Sequence, residues 1–370
     1  GMLGVFLCPL LDGRPFSRSR PPTVVIWLFR WLLFRIMLGA GLIKWRGDEC
    51  WRALTCLDFH FETQPIPHPG SWFFHNMPQP FMRLGVAFNH FAELIAPFFV
   101  FGPRGFRILA GLVLVAFQVN LILSGNLAFL NWVTLVPALA CFDDRFWRKL
   151  LPARWSRAAQ RAREEARPGR IHAFVAGGFA VVVAVLSVQP VANLFSERQI
   201  MNTSFDPFKL VNTYGAFGTV GRVRKEIIFE GTSDTVVGPE TVWHEYEWKC
   251  KPGDPEKRPC LITPYHMRLD WLIWFAAMSD VNRYPWVVLL MEKLMQGDPG
   301  ALSLLEGNPF ADGPPAKMRA QLFRYEFTEP GDLGTAWWKR ERIGGYVDVI
   351  SLDDPRVDAF LRQHGLRAPP

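Results

Sequence analysis

Charge is what the middle of this chain lacks. Residues 108–142 are 35 positions with no ionisable side chain except the thiol of Cys141, which excludes a solvated surface segment. As one helix the run would be roughly 52 Å long, well beyond a hydrocarbon core of about 30 Å, so it must fold back on itself. Ser124-Gly125-Asn126 is the natural place for the hairpin. Other absences narrow the function. There is no Cys-x-x-Cys, no Gly-rich phosphate loop and no G-x-S-x-G elbow, so dithiol redox chemistry, nucleotide phosphate binding and hydrolase chemistry of that type find no support. No internal repeat and no Gly/Pro-broken pair of helices appears, which argues against a secondary transporter. Acidic residues are scarce in the first half: residues 1–190 carry 20 basic and 10 acidic side chains, against 21 and 24 in residues 191–370. The positive charge thus accompanies the apolar runs, and the second half offers no basic face for a nucleic acid.

What is present is a membrane pattern. Thr23 to Lys44 is a full apolar span, and further spans are expected at about 81–101, 106–124, 126–142 and 172–190. Between the last two lies 143–170, with nine Lys/Arg against four acids. So basic a short loop between apolar spans stays on the cytoplasmic face. Sidedness then propagates. GPRGFR at 102–107 and the Arg14–Arg20 segment fall inside, while loop 45–80 and residues 191–370 fall outside. The three inner segments hold 3, 2 and 9 basic residues, a consistent positive-inside pattern. Residues 1–11 are apolar but too short to span, with neither a basic n-region nor a cleavage site. They read, with 12–22, as the end of a truncated N-terminal part and a cytoplasmic linker.

The expected architecture is a polytopic α-helical membrane bundle (23–190) followed by a soluble, exoplasmic α+β domain (191–370) with a mainly antiparallel sheet. Strands are predicted at 209–220, 223–230, 243–250, 321–328 and 337–350, and helices at 265–278, 285–295 and 299–305. The prolines of FETQPIPHPGSWFFHNMPQP argue against helix or strand there, leaving Trp72, Phe73 and Phe74 as anchors at the bilayer surface.

Four cysteines, Cys50, Cys56, Cys250 and Cys260, lie outside the apolar runs on the face where disulfides form. The Pro-Gly-Asp-Pro turn inside Cys250-KPGDPEKRP-Cys260 can bring those two sulfurs together. Cys50–Cys56 is a second candidate pair, with cross-pairing between loop and domain as the alternative. Cys8 and Cys141, beside apolar segments, are expected as free thiols. Ionisable residues inside the membrane are costly and so are functional candidates. Arg30 and Glu93 each lie eight residues from the inner ends of their spans, about 12 Å deep. An Arg30–Glu93 pair is expected, with Arg35 capped by Asn89 or His90. Such a cluster can serve as a polar clamp between helices, or in transport or catalysis. His60, Glu62, His68 and His75 are irregularly spaced on the Pro-rich segment, unlike the helical i, i+4 pair of a zincin, so no metal is expected. No cofactor is expected either. Asn202-Thr203-Ser204 is an N-glycosylation acceptor on the outer side, meaningful in a eukaryotic host.

Several stretches together resemble the lipase maturation factor family: FRWLLFRIMLGAGLIKWRGDECWRALTCLDFHFETQPIPHP, SGNLAFLNWVTLVPALACFDD, NTYGAFGTVGR, EYEWKCKPGDPEKRPCLITPYHMRLDWLIWFAA, NPFADGPP and WWKRERIGGY. The resemblance implies a multi-pass protein of the endoplasmic reticulum membrane with a lumenal C-terminal domain and further membrane helices ahead of the stretch matched here. It implies a non-enzymatic role, helping secreted homodimeric lipases reach an active fold, and it supplies no catalytic residues. Trp271, Trp274, Trp337 and Trp338 are candidate client contacts, or core of the outer domain. The alternative is a membrane enzyme whose bundle would resemble vitamin K-dependent carboxylase relatives, with Arg30, Arg35, His90 and Glu93 lining a cavity. A bacterial host would place the same domain in the periplasm.

Overall fold

Pro21 and Pro22 set an extended entry, after which Thr23–Arg46 forms an uninterrupted 24-residue helix, α2. It is preceded by the single turn α1, Met2–Val5. The computed structural model describes residues 2–7, 14, 16–17, 19–166, 169–332 and 336–368; Cys8 and Arg18 lie outside the described residues. Three short helices follow, α3 (Glu49–Arg52), α4 (Leu57–Thr63) and α5 (Pro69–His75). The second apolar helix begins as α6 (Gln79–His90), widens to a π-helical turn over Phe91–Ile95 and tightens to a 3₁₀ helix over Ala96–Phe101. Next come α7 (Arg104–Ser124), α8 (Leu130–Ala138) with a 3₁₀ turn to Cys141, α9 (Asp144–Leu150), α10 (Ala153–Glu165), α11 (Arg170–Leu186) and α12 (Val188–Phe195). Strands β1 (Arg224–Thr232), β2 (His244–Tyr246), β3 (Lys317–Phe327) and β4 (Trp338–Ile350) alternate with α13 (Arg268–Ala277), α14 (Trp286–Met295) and α15 (Pro299–Leu302); α16 (Pro355–Gln363) ends the described fold.

Four helical stretches among the described residues are long and apolar enough to cross a membrane: Thr23–Arg46, Gln79–Phe101, Arg104–Ser124 and Arg170–Phe195. The expected span at 126–142 is different. Its helix is Leu130–Cys141, 12 residues, about 18 Å and too short to cross alone. It still retraces α7. Asn131 donates to Gln118, Arg107 donates to the Cys141 carbonyl, and Arg104 meets Asp143 at 2.6 Å.

The chain folds as two compact units that do not follow chain order. One comprises residues 1–57, 79–122 and 130–220; the other comprises 58–78, 123–129 and 221–370. Residues 191–220, expected with the outer domain, therefore belong to the first unit. Within it, the strand expected at 209–220 does not form. Lys209 and Phe217 take positive φ, and the Gly218 carbonyl accepts the Asp48 amide, so this segment spends its backbone groups on the end of α2.

In the second unit the sheet order is β2-β1-β3-β4, antiparallel throughout. Alternation along β1 decides what each face carries. Ile227 and Phe229 join Met318 and Ala320 under α13, α14 and α16, whose Ile273, Met291 and Leu361 complete one core. Ile228 faces the other way, with Phe323, Tyr325, Phe327 and Trp338, and Trp72 of α5 covers them. Both faces of the sheet are thus buried, one under helices from the end of the chain and the other under a segment from its beginning.

That segment departs from the expectation of irregular backbone with Trp72 as a membrane anchor. Pro69 occupies the first turn of α5, where its missing N–H costs nothing, and His68 and Ser71 form a reciprocal capping box. Trp72 is core, whereas Phe73 remains exposed.

Candidate functional site

Each unit holds a buried polar cluster. In the membrane unit, Leu33, Met37, Gly41 and Lys44 are buried on one face of α2. At Gly41 a Cβ would lie 2.9 Å from the Cβ of Glu93, so α2 and the π-helical turn are in direct contact. That contact brings the Lys44 ammonium to Asn89 Oδ1 (2.8 Å), Glu93 Oε1 (2.7 Å) and Glu93 Oε2 (2.9 Å). Asn89 Nδ2 closes the set by donating to Glu93 Oε2 at 3.1 Å. All three donors of the ammonium are used, and the Trp51 ring lies 5.1 Å away.

The expected Arg30–Glu93 pair is therefore not formed. Arg30 donates to the Ala140 carbonyl and sits over Trp27. Arg35 donates to the Asn212 carbonyl between Trp31 and Tyr214. His90 contacts the Trp51 carbonyl at 2.9 Å. Of the five residues expected to cluster, only Asn89 and Glu93 meet. The depth comparison assumed α-helix throughout 81–101. It also set the inner ends of the two helices level, whereas Phe101 stacks on Trp27, one turn into α2; the 3₁₀ turn over Ala96–Phe101 adds only about 3 Å of the roughly 21 Å between Arg30 and Lys44 on α2. Lys44 was missed as a span terminus; its place on the 33-37-41-44 stripe was the available signal.

In the second unit, Arg224, Glu226 and Ile228 share the sheet face covered by 58–78. Arg224 is fully buried. It donates to the carbonyls of Glu62 (2.7 Å), Gln64 (2.6 Å) and Pro65 (3.2 Å), and pairs with Glu226 at 2.5 Å. Lys251 contacts the other Glu226 oxygen. Burial pushes the Lys251 ammonium down to about 8, with Glu226 opposing that shift. Glu62 accepts the Phe327 amide at 2.8 Å, and burial still holds its carboxyl above the usual range. Trp72 Nε1 reaches the Thr328 carbonyl at 2.9 Å, and Trp274 Nε1 reaches Thr63 O at 3.0 Å.

The hairpin 123–129 is tied into the same body. Asn126 donates to Cys260 O at 2.8 Å and accepts from the amides of Ile262 and Thr263. Gln64 donates to the Ser124 carbonyl and to Ser71. Gly125 is required here, since a Cβ would fall 1.8 Å from Gln64 Oε1. Gly125→Ala is expected to cost about 1–3 kcal/mol through overpacking, checked by denaturant unfolding of the purified protein in mild detergent. Cys250–Cys260 and Cys50–Cys56 are both closed, with Cα separations of 5.5 and 4.7 Å. Cys141 is a buried free thiol. Opening the first bridge with Cys250→Ser/Cys260→Ser should cost about 2–3 kcal/mol for a loop of this length, read as a lowered unfolding midpoint, with any further fall in reductant reporting the remaining Cys50–Cys56 bridge.

A family model described as the lipase maturation factor transmembrane domain matches residues 1–149, and one described as the lipase maturation factor C-terminal domain matches residues 210–348. Lipase maturation factor 1 of Bos taurus is 50% identical over 381 aligned positions, covering 98% of this chain and 68% of that protein. The chain belongs to the lipase maturation factor family. Lipase maturation factor 1 of Homo sapiens is 47% identical, covering 100% of this chain and 68% of its own length. Lipase maturation factor 2 of Xenopus tropicalis is 28% identical, with 100% and 67% covered. No solved structure matches the chain.

In this chain, the stretch matched as transmembrane domain contains 58–78 and 123–129, both of which fold with 221–370. Among the described residues no group of three or more His, Cys, Asp or Glu is arranged to hold a metal. His68 caps α5, and His75 lies 3.7 Å from Glu62. Of the four tryptophans considered as client contacts, Trp338 is core and Trp337 packs against it, whereas Trp271 and Trp274 are half-buried.

Proposed function

We propose that this chain is a membrane-anchored maturation factor that assists folding and assembly of secreted homodimeric lipases from the lumenal side of the endoplasmic reticulum membrane. The observation that carries this reading is the 50% identity to bovine lipase maturation factor 1 across 98% of the chain. Its active part would be the unit made of 58–78, 123–129 and 221–370, held at the membrane by the helices and kept where disulfides form.

Two closures support that sidedness. The two long segments of the second unit, 58–78 and 221–370, come from stretches that the positive-inside pattern assigns to the outer face, and 123–129 joins two spans at their outer ends. Arg104 and Arg107, from the turn assigned inside, both reach Asp143 at the head of the basic connector, which is also assigned inside. Asn202 falls on the outer side as a glycan acceptor, although its Nδ2 donates to the Gly215 carbonyl and must be freed for modification. The enzyme alternative called for a cavity joining Arg30, Arg35, His90 and Glu93. Glu93 is instead enclosed by Lys44 and Asn89, and the two arginines are held elsewhere.

The test is complementation. In cells lacking the endogenous factor, the full-length protein should restore the specific activity of a secreted homodimeric lipase and co-purify with it. Unchanged lipase activity at normal expression and membrane insertion would overturn the proposal.

A further inference from the structure

From Ile108, the first residue past the arginines of the inner turn, to Ser124 α7 runs 17 residues, about 26 Å and close to the thickness of the hydrocarbon core, so Ser124 lies near its outer edge. Asn126 follows two residues later and lies within about 7 Å of it, inside the headgroup layer. Asn126 is also the buried side chain that grips the backbone of Cys260, Ile262 and Thr263. Thr263 in turn approaches the Ala128 carbonyl at 3.5 Å. The disulfide to Cys250 holds the start of this segment from its other side, and the Cys250 and Lys251 amides are themselves fixed on Asp270. Two residues of chain thus tether this piece of the second unit to the outer end of α7.

What it presents there is amphipathic. Leu261 is 69% exposed and Tyr265 67% exposed, beside the exposed Phe129 of the hairpin. Arg258 and Arg268, both exposed, flank them. An aromatic with a polar tip and an aliphatic side chain between guanidinium groups is the composition of an interfacial lipid contact. We infer that residues 258–268 form a built-in membrane-surface contact, with Leu261 and Tyr265 bedded among phospholipid headgroups and Arg258 and Arg268 available to their phosphates. The contact requires only that α7 spans the bilayer, so it stands or falls separately from the lipase-maturation reading.

The test is photo-crosslinking in the full-length protein reconstituted into phosphatidylcholine vesicles. A benzophenone amino acid replaces Leu261, Tyr265 or, as an equally exposed control on the β1–β2 connection, Val236, which is 81% exposed. Mass spectrometry should find at least fivefold more lipid adduct at 261 and 265 than at 236. Equal yields at the three positions, or adducts at 261 that are mainly protein, would overturn the inference. Asn126→Ala should cut lipid adduct at 261 at least threefold. Should that variant fail to fold, the comparison of 261 with 236 in the otherwise native chain still decides.

Discussion

Arg224→Ala is expected to unfold the 58–78/221–370 body while leaving the membrane helices inserted. The guanidinium is fully buried, donates through both terminal nitrogens to three carbonyls of residues 62–65, and neutralises Glu226 on the same face. Removing one member of a buried ion pair costs about 3–5 kcal/mol, because the partner charge stays behind unpaired. Three orphaned carbonyls add to that. The sum is a large fraction of the 5–15 kcal/mol available to a domain. Arg224→Lys keeps the charge but cannot span three acceptors, so it should fall between the two. Lys251→Met should cost less than either, since Glu226 retains Arg224. Denaturant unfolding in mild detergent, with proteolysis of 58–78 as a local probe, checks the order. An Arg224→Ala protein within about 0.5 kcal/mol of the parent, the ordinary range for a surface substitution, would sink this account.

The second large effect is in the bilayer. Lys44→Met strands Glu93 among apolar helices with only Asn89 as donor, at an expected cost of about 3–5 kcal/mol. Glu93→Leu strands the ammonium instead. The double variant removes both charges and should recover most of the loss, giving a coupling energy of about 2 kcal/mol or more. Additive single effects would show that the three groups do not act together. The double variant also separates roles: if it is stable and still supports lipase maturation in complemented cells, the cluster is a clamp between α2 and the π-helical turn and nothing else.

Much of the fold was readable because the decisive signals are local. Apolar runs of spanning length and the basic 143–170 connector mark the bundle. Strands predicted at 223–230, 321–328 and 337–350 correspond to Arg224–Thr232, Lys317–Phe327 and Trp338–Ile350. Helices α13 and α14 lie within one to three residues of the expected limits. The unread parts depend on partners distant in sequence. A Pro-rich stretch becomes helix because Pro69 and Pro80 fall at first turns, with Pro65, Pro67 and Pro78 left between helices, and because Trp72 has a sheet to cover. Residues 209–220 look like strand by composition but have no strand to pair with. Helix α16 was legible in principle from Asp354 as cap, Pro355 at the first turn and Val357/Leu361 one turn apart. In the candidate site, residue types pointed to the right helices, but pairing Lys44 rather than Arg30 with Glu93 turned on the offset between two packed helices, which no composition announces.

The interleaving of the second unit bears on how the protein is made. Glu62 precedes its clamp, Arg224, by 162 residues, which at ordinary synthesis rates is roughly 8–32 s of translation. Throughout that interval 58–78 must wait, uncovered, until the sheet arrives. A fragment starting at residue 221 would be born without the lid for one sheet face, and a ribosome stalled before it would leave the lid with nothing to close. A factor that helps other chains mature thus has a nascent stage of its own in which it is a client.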